Sequence, residues 1–284
     1  MNQEDFTHDI NEYIEECYQE FYEYQKITND ILNIFHELCV SNEIKYFLYF
    51  GTLLGAIRDS GNVPWDYDID VIVPIDYQEK LIKALDTQLN DTYYYAYYNN
   101  IKDYPTSCLR VCKKGYPFTS LHVDVFFLVG CPDDIKETNR FVNKINKYSG
   151  YRVKKYGPRW FKGNNNEKNL FRKIIDSLVK LRAFFIPQSF CDKERNYMYK
   201  YPLQNSKNCF VAGDLMNPRV LKTEWFRDVM IVSFNGNKRF VPVGYEEILV
   251  DKFGDYSKYP TMPERFDEFY SSFRTVKYRI EEQV

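Results

Sequence analysis

The sequence of 284 residues has no long hydrophobic run, no excess of basic charge and no regularly spaced cysteines. No apolar stretch approaches the roughly 20 residues that a membrane-spanning helix needs. Lys and Arg number 38 against 40 for Asp and Glu, so the net charge of −2 argues against a dedicated nucleic-acid-binding protein. The first ten residues are acidic and polar, unlike a secretory signal. These absences lead us to expect a soluble protein of the cytoplasm.

The cysteines also exclude two kinds of structural support. They number 7, an odd count, and are scattered along the chain. Without a secretory signal, reduced thiols are expected rather than a disulfide framework. Cys108 and Cys112 lack the close pairing of a zinc-binding motif, so zinc is not expected either. The fold must therefore rest on its hydrophobic core.

Three aspartates stand at every second position, Asp66, Asp68 and Asp70, immediately before the apolar stretch Val71–Val73. Side chains alternate between the two faces of a strand, so Asp68 and Asp70 are predicted to share one face. Adjacent carboxylates repel each other and avoid apolar packing, unless a divalent cation lies between them. Mg²⁺ binds carboxylate oxygens together with phosphate oxygens. The pattern therefore predicts a metal site for a phosphorylated substrate.

A phosphate-binding turn is predicted upstream of these aspartates. The apolar run Tyr46–Phe50 indicates a strand, and a helical pattern follows over Leu53–Arg58. Gly51 and Thr52 lie at the junction, where the free N–H groups and dipole of a helix N-terminus favour anions. Both residues are candidate phosphate ligands. Arg58 is a candidate for offsetting the phosphate charge.

A third carboxylate, Asp124, stands between β-branched residues in a second apolar strand. Arg110 and Lys113 belong to or follow the strand before it. Phosphoryl transfer needs cations that hold oxyanion charge, so both are candidate substrate ligands. A solvated strand carries such residues as well. His122 lies on the same predicted face as Asp124 and either tunes that carboxylate or is a solvated strand-end residue.

The order of these parts is similar to that of the nucleotidyltransferase superfamily, and a finer pattern resembles the LicD/fukutin family. The residues that carry the finer resemblance are Gly51–Ala56, Arg58, Pro64–Asp66, Asp68–Asp70, Val123–Phe126, Val241, Pro242, Phe253–Tyr256 and Pro263. They extend over most of the chain. Tyr67 departs from the pattern, because many members have an Asp there, and Thr261–Pro263 replaces a common Pro-Pro.

The resemblance implies a metal-dependent phosphotransferase. Relatives move phosphocholine, glycerol phosphate or ribitol phosphate from a CDP-activated donor to a glycan hydroxyl, releasing CMP. In that scheme Asp68 and Asp70 hold Mg²⁺ (or Mn²⁺), while Asp124 completes the metal site or takes the proton of the attacking hydroxyl. The expected substrate-binding residues are Gly51, Thr52, Arg58, Asp66, Arg110 and Lys113. The acceptor is expected to be a glycan or lipid-linked glycan of capsule, teichoic acid or lipopolysaccharide.

Two alternatives stay open on the sequence. The same carboxylates also serve nucleotidyl transfer from an NTP, which releases pyrophosphate, so they do not distinguish the two reactions. The other alternative is a non-catalytic binding protein on the same fold. Such a protein has no need of both Asp68 and Asp70, whose repulsion costs stability without a metal, and is therefore less favoured.

The pattern of apolar residues predicts an α+β fold, with a mixed sheet flanked by helices and a mainly helical C-terminal extension. The resemblance implies that the sheet is the nucleotidyltransferase-like core. We expect one LicD-like domain over 1–284, made of N-terminal amphipathic helices (1–40), the core (41–150) and the extension (151–284). Helices are predicted at 10–38 (as one helix or two), 53–58, 77–89 and 170–185. Strands are predicted at 46–50, 69–73, 93–98, 108–112 and 121–128, with a loop or hinge at 154–168.

The predicted helix 170–185 combines Phe, Leu and Ile with cations. Lys168–Arg182 carries five basic residues and one Asp. This composition fits a helix that lies on an anionic membrane surface. It also fits a helix that packs on the core with a solvated basic edge, and that interpretation is the favoured one. Peripheral contact with the inner face of a bacterial membrane is therefore an open possibility.

Overall fold

The computed structural model describes residues 3–160, 177–178, 181, 185–214 and 218–281. The α-helices within these ranges are α1 (Gln3–Ser41), α2 (Phe50–Arg58), α3 (Gln78–Gln88), α4 (Ile135–Trp160), α5 (Gln188–Met198), α6 (Tyr245–Phe253) and α7 (Met262–Glu281). The strands are β1 (Phe47–Leu48), β2 (Ile69–Pro74), β3 (Tyr93–Ala96), β4 (Leu109–Lys113), β5 (His122–Cys131), β6 (Asn208–Ala212), β7 (Leu221–Lys222), β8 (Val229–Phe234) and β9 (Asn237–Pro242).

A mixed sheet forms the centre of the fold, with strand order β1-β2-β5-β4-β3. β2 and β5 are parallel, while the other pairs in this row are antiparallel. β5 is long enough to pair with β4 along its first half and with β6 along its second. β8 and β9 form a separate hairpin. The structure confirms the predicted α+β class and mixed sheet.

The two faces of the sheet have different chemistry because side chains alternate along each strand. One face carries Val71, Val111 and Val123, which are fully buried. Lys113 shares this face and pairs with Asp30 of α1 at 3.8 Å, so the apolar face packs against α1. The opposite face carries the aspartates of β2 and β5. The alternation thereby separates the core from the polar site.

Helix α1 is one continuous helix from Gln3 to Ser41, which decides between the two predicted arrangements. Its second half packs on the sheet, and its middle packs on α7. In that second contact Phe21 lies 4.9 Å from Phe269 between ring centroids, and Tyr24 lies 6.1 Å from Phe273. This small apolar cluster fixes α7 beside the sheet.

Two predictions of local structure need correction, and one part of a helix was not predicted. The strand predicted over 46–50 is only Phe47–Leu48, because the helix begins at Phe50. The loop predicted from residue 154 is wrong up to 160: α4 continues through Gly157 and Pro158 to Trp160. The helical pattern of Phe141, Val142 and Ile145, all buried, went unrecognised in the sequence. Most of the predicted loop beyond 160 and of helix 170–185 lies outside the described residues.

The chain after residue 151 contributes more than helices. Strands β6 and β7 extend the main sheet, and α6 and α7 follow the β8–β9 hairpin. None of the helices in the described ranges combines the length and apolar character needed to cross a membrane.

Candidate active site

The site is organised where β2 and α2 meet. The N–H of Tyr49 donates to the carbonyl of Asp70 at 2.9 Å. The N–H of Asp70 donates to Oγ1 of Thr52 at 2.9 Å. Both main-chain groups of Asp70 are thus held at the start of α2. Thr52, expected as a phosphate ligand, uses its hydroxyl oxygen to fix this strand against the helix.

Two glycines are required by close approaches of the chain. A Cβ at Gly51 would lie 2.6 Å from Oδ2 of Asp66, and a Cβ at Gly55 would lie 2.3 Å from the carbonyl oxygen of Gly61. Gly51 therefore lets the Asp66 carboxylate reach the first turn of α2. Gly55 lets the 59–63 loop fold back on the helix.

Asp66, Asp68 and Asp70 line one polar cavity of about 340 Å³. The carboxyl groups of Asp66 and Asp68 share a hydrogen bond, and the N–H of Asp68 lies 3.4 Å from Oδ1 of Asp66. Burial, followed by repulsion from Asp68, raises the pKa of both Asp66 and Asp70 well above the usual range. The structure brings together the three aspartates that the sequence singled out.

Asp124 lies beside Asp70 in the register of the parallel pair β2–β5, and Arg110 lies opposite it on β4. Oδ1 of Asp124 accepts a hydrogen bond from Nε of Arg110 at 2.8 Å, and Nη1 of Arg110 donates to the carbonyl of Phe118 at 3.0 Å. Burial alone would raise the pKa of Asp124, but Arg110 and His122 hold it well below its usual range. Asp124 is therefore an ionised carboxylate committed to a buried ion pair.

His122 is buried beside this pair. Its Nε2 lies 3.4 Å from Oδ2 of Asp124. Burial and the nearby Arg110 lower its pKa, so the neutral imidazole is favoured. Its Nδ1 has no hydrogen-bond partner among the described residues. The interpretation that His122 tunes Asp124 agrees with this contact better than a solvated strand end does.

Two predicted substrate ligands lie away from the carboxylates. Arg58 forms an ion pair with Asp59 at 2.8 Å and its guanidinium carbon lies 4.2 Å from the ring centroid of Tyr259. Lys113 lies on the opposite face of the sheet, where it pairs with Asp30. These contacts assign Arg58 to the packing of the 59–65 loop and Lys113 to the α1 side.

The sequence reasoning missed the residues that complete the cavity. Its other wall is α7, which contributes Glu268, Ser271, Ser272, Thr275 and Arg279. Lys252 of α6 was also missed: its Nζ lies 3.7 Å from the ring centroid of Phe50 and 3.6 Å from Asp214. The helical spacing of the α7 residues is visible in the sequence, but nothing there shows that this face meets the aspartates.

The chemistry of the donor set fits a hard divalent cation. Asp66, Asp68 and Asp70 offer carboxylate oxygens whose repulsion a cation would relieve. In the part of the chain that the structure describes, no three His, Cys, Asp or Glu side chains are already arranged as ligands of one metal ion. One reason is that the carboxylate of Asp124 forms an ion pair with Arg110. Asp68 and Asp70 have the ligand chemistry that the metal needs. Asp124 could join them only by giving up part of its contact with Arg110.

Paired carboxylates beside a helix N-terminus, on a mixed sheet with a parallel central pair, are the arrangement expected of a nucleotidyltransferase-like domain. Residues 43–161 match the family described as LicD/FKTN/FKRP, nucleotidyltransferase domain. The chain is also 28% identical over 258 residues to a Haemophilus influenzae protein named lipopolysaccharide cholinephosphotransferase LicD, covering 84% of this chain and 91% of the relative. Residues 43–161 therefore form a domain of the LicD family.

Shorter similarities occur in two uncharacterised proteins of Rickettsia prowazekii and Rickettsia typhi. Each is 53% identical to this chain over 36 residues, which is 13% of the chain and 14% or 12% of the relative. These matches are too short to carry an inference about the whole protein. The family domain at 43–161 contains the aspartates, Arg110 and His122, whereas α7 lies outside it.

Proposed function

We propose that the protein is a metal-dependent phosphotransferase of cell-surface polysaccharide synthesis. It transfers a phospho-alcohol (phosphocholine, glycerol phosphate or ribitol phosphate) from a CDP-activated donor to a hydroxyl group of a glycan. The relative that matches over most of its length is named as a cholinephosphotransferase acting on lipopolysaccharide, which makes phosphocholine the first donor group to test.

One observation carries the proposal. Asp66, Asp68 and Asp70 line a single polar cavity beside the first turn of α2, where burial, followed by repulsion from Asp68, raises the pKa of Asp66 and Asp70. Such an arrangement is unfavourable for a protein that binds no cation. A donor diphosphate with its metal ion supplies both the cation and an anion for the helix N-terminus.

In this proposal Asp68 and Asp70 hold Mg²⁺ (or Mn²⁺), and Asp66 provides a further carboxylate beside Gly51. When bound, the metal supplies positive charge that offsets the charge on the phosphate oxygens. The N–H groups in the first turn of α2 orient the diphosphate. The 2.9 Å hydrogen bond between Asp70 and Thr52 connects the strand that carries the metal ligands to this turn. It thereby sets the position of the metal site relative to the phosphate site.

The arrangement around Asp124 favours one of its two predicted roles. A carboxylate whose pKa is held far below neutrality is a weak proton acceptor, so the general-base role is disfavoured. The ligand role requires only that Asp124 remain ionised and exchange part of its contact with Arg110. We therefore assign Asp124 to completing the metal site, with Arg110 keeping it ionised.

The test is a donor screen with the purified protein. CDP-choline, CDP-glycerol and CDP-ribitol are each incubated with Mg²⁺ and a glycan extract, and the release of CMP is measured. We expect one donor to release CMP and EDTA to stop the release. If none of the three releases CMP above a metal-free control, the proposed reaction is wrong.

Nucleotidyl transfer is the second candidate, because the matched family domain is described as a nucleotidyltransferase domain. This reaction uses an NTP and releases pyrophosphate. Parallel incubations, one with CTP and phosphocholine and the other with a CDP-alcohol and a glycan acceptor, separate the two reactions. Pyrophosphate release without CMP release supports nucleotidyl transfer, and the reverse supports phosphotransfer.

The proposed site of action is the inner face of a bacterial membrane, where lipid-linked glycan acceptors are available. Leu178, Leu181 and Phe185 are exposed. They belong to the sequence that was predicted to form an amphipathic helix, 170–185. Exposed apolar side chains near basic residues support peripheral binding to anionic lipid.

A further inference from the structure

One face of α7 closes the cavity that the aspartates open. Successive positions three or four residues apart share a helix face. The residues of this face are Glu268, Ser271, Ser272, Thr275 and Arg279, and all five line the 340 Å³ cavity. A different face of α7 carries Phe269, Phe273 and Val276, which are buried against α1. The helix is therefore fixed by its apolar face and presents its polar face to the carboxylates.

The cavity needs a cation from the protein if it is to hold a diphosphate. Three aspartates and Glu268 line it, and a diphosphate would bring further negative charge into the same space. Arg110 is committed to Asp124 and the Phe118 carbonyl. Arg58 is committed to Asp59. Among the described residues that line this cavity, the basic residue is Arg279.

The guanidinium of Arg279 is positioned by a hydrogen bond to the main chain. Its Nη1 donates to the carbonyl oxygen of Thr119 at 2.8 Å, in the loop that leads into β5. Burial, together with the nearby Arg110, lowers the pKa of Arg279, whereas Tyr67, Asp124 and Asp68 act in the opposite direction. A partly buried guanidinium gains from an anion that replaces lost hydration, and planar guanidinium groups suit phosphate oxygens.

We propose that Arg279 is a phosphate-binding residue of the active site, and that α7 is therefore a functional wall rather than an appendage. Its guanidinium binds an oxygen of the donor diphosphate, and Asp68 and Asp70 would hold the metal ion in the same cavity. The identity of the donor rests on the proposed function. The contact itself rests only on the chemistry of a diphosphate anion.

The experiment measures the affinity of CDP in the presence of Mg²⁺ by isothermal titration calorimetry. The variants are Arg279→Gln, which removes the charge, and Arg279→Lys, which keeps it. The matched control is Arg274→Gln, an exposed arginine of the same helix that lies over Tyr270. We expect Arg279→Gln to weaken CDP binding by about 10- to 100-fold, Arg279→Lys to recover part of it, and Arg274→Gln to change little.

Two further readouts separate a phosphate contact from a structural effect. Cytidine, which carries no phosphate, is expected to bind the wild type and Arg279→Gln equally well. In turnover assays Arg279→Gln is expected to raise KM for the donor, and added guanidinium ion is expected to restore part of the rate. Thermal unfolding of each variant checks that the fold is intact.

The outcomes keep this proposal distinct from the proposed reaction. If Arg279→Gln binds CDP as tightly as the wild type does, the proposed role of Arg279 is wrong. Binding that depends on Arg279, with no CMP release from any CDP-alcohol, supports the contact and overturns the reaction. If the wild type binds neither CDP nor inorganic pyrophosphate with Mg²⁺, both proposals are wrong.

Discussion

Asp70 and Asp124 are direct neighbours in the register of the parallel strands β2 and β5, yet their pKa values move in opposite directions. Burial and Asp68 raise the pKa of Asp70. Burial also acts on Asp124, but Arg110 and His122 outweigh it. Asp70 would therefore be stabilised by an added cation, whereas Asp124 is already paired with Arg110. Two adjacent positions of the same sheet thus have different chemistry because of their other neighbours.

The first prediction concerns Asp68 and Asp70. Asp68→Asn and Asp70→Asn are each expected to abolish CMP release because both residues hold the metal. Without Mg²⁺ each variant is expected to be as stable as the wild type or more stable, since one repulsive charge is gone. Each pKa unit of repulsion relieved adds about 1.4 kcal/mol to the free energy of unfolding. Urea denaturation and CMP assays check both expectations; near-normal turnover in either variant removes that residue from the metal site.

The second prediction concerns pH. Raised pKa values mean that Asp66 and Asp70 contribute their full stability below about pH 4, and lose it as the pH rises through the raised values. Asp124 has the opposite sign: its contribution is present above about pH 4 and is lost as the pH falls. Because Mg²⁺ binds ionised carboxylates, it is expected to raise Tm more at about pH 8 than at about pH 5. Thermal scans with Mg²⁺ and with EDTA measure this, and equal increases at both pH values contradict it.

The third prediction concerns the Arg110–Asp124 pair. Arg110→Met leaves Asp124 buried without its partner and is expected to lower the free energy of unfolding by about 3–5 kcal/mol. Adding Asp124→Asn to this variant is expected to recover part of the loss, because the unpaired charge is removed. A double-mutant cycle by urea denaturation measures the coupling. Additive effects of the two substitutions would show that the pair is not coupled.

The fourth prediction separates the two roles of Asp124. As a metal ligand, its replacement in Asp124→Asn is expected to raise the Mg²⁺ concentration that gives half-maximal activity. As a general base, its replacement lowers turnover at saturating Mg²⁺ and leaves the half-maximal concentration unchanged. We expect the first result. A variant unchanged in both respects takes Asp124 out of the site.

The fifth prediction uses two glycines with different surroundings. Gly51→Ala is expected to reduce activity strongly, because the new Cβ would lie 2.6 Å from Oδ2 of Asp66 and displace it. Gly150→Ala is the matched control in α4, where a Cβ meets no atom within 4 Å. It is expected to keep full activity and add about 1 kcal/mol of stability. Equal activity of the two variants would show that Asp66 has no part in the reaction.

Much of the site could be predicted from sequence because its residues are close together along the chain. Asp66, Asp68 and Asp70 alternate before an apolar strand, and Gly51 precedes a short helix. Local periodicity is enough to place such residues on one face. The resemblance implies that Asp124 joins Asp68 and Asp70 in one site. The register of β2 with β5, which sets Asp70 beside Asp124, agrees with that expectation.

The remaining parts depend on contacts between distant positions. Arg58 was predicted as a phosphate ligand because it ends the helix that follows the Gly51–Thr52 turn; its contact with the ring of Tyr259, about 200 positions later, could not be predicted. Arg279 was overlooked because its helix carries no motif. The end of helix α4 was predicted as a loop because of Gly157 and Pro158, and its earlier part was not predicted, although its buried residues repeat at helical spacing. Tertiary packing decided the contacts of Arg58 and Arg279, whereas the pattern of α4 was present in the sequence.

The seating of α7 on α1 has a consequence for the time course of synthesis. Phe21 and Phe269 can meet only after α7 has been made, so the wall of the cavity is a contact of very high sequence separation. The diphosphate pocket is therefore complete only once α7 has been synthesised, and a chain that ends after β5 would have the aspartates without the α7 wall.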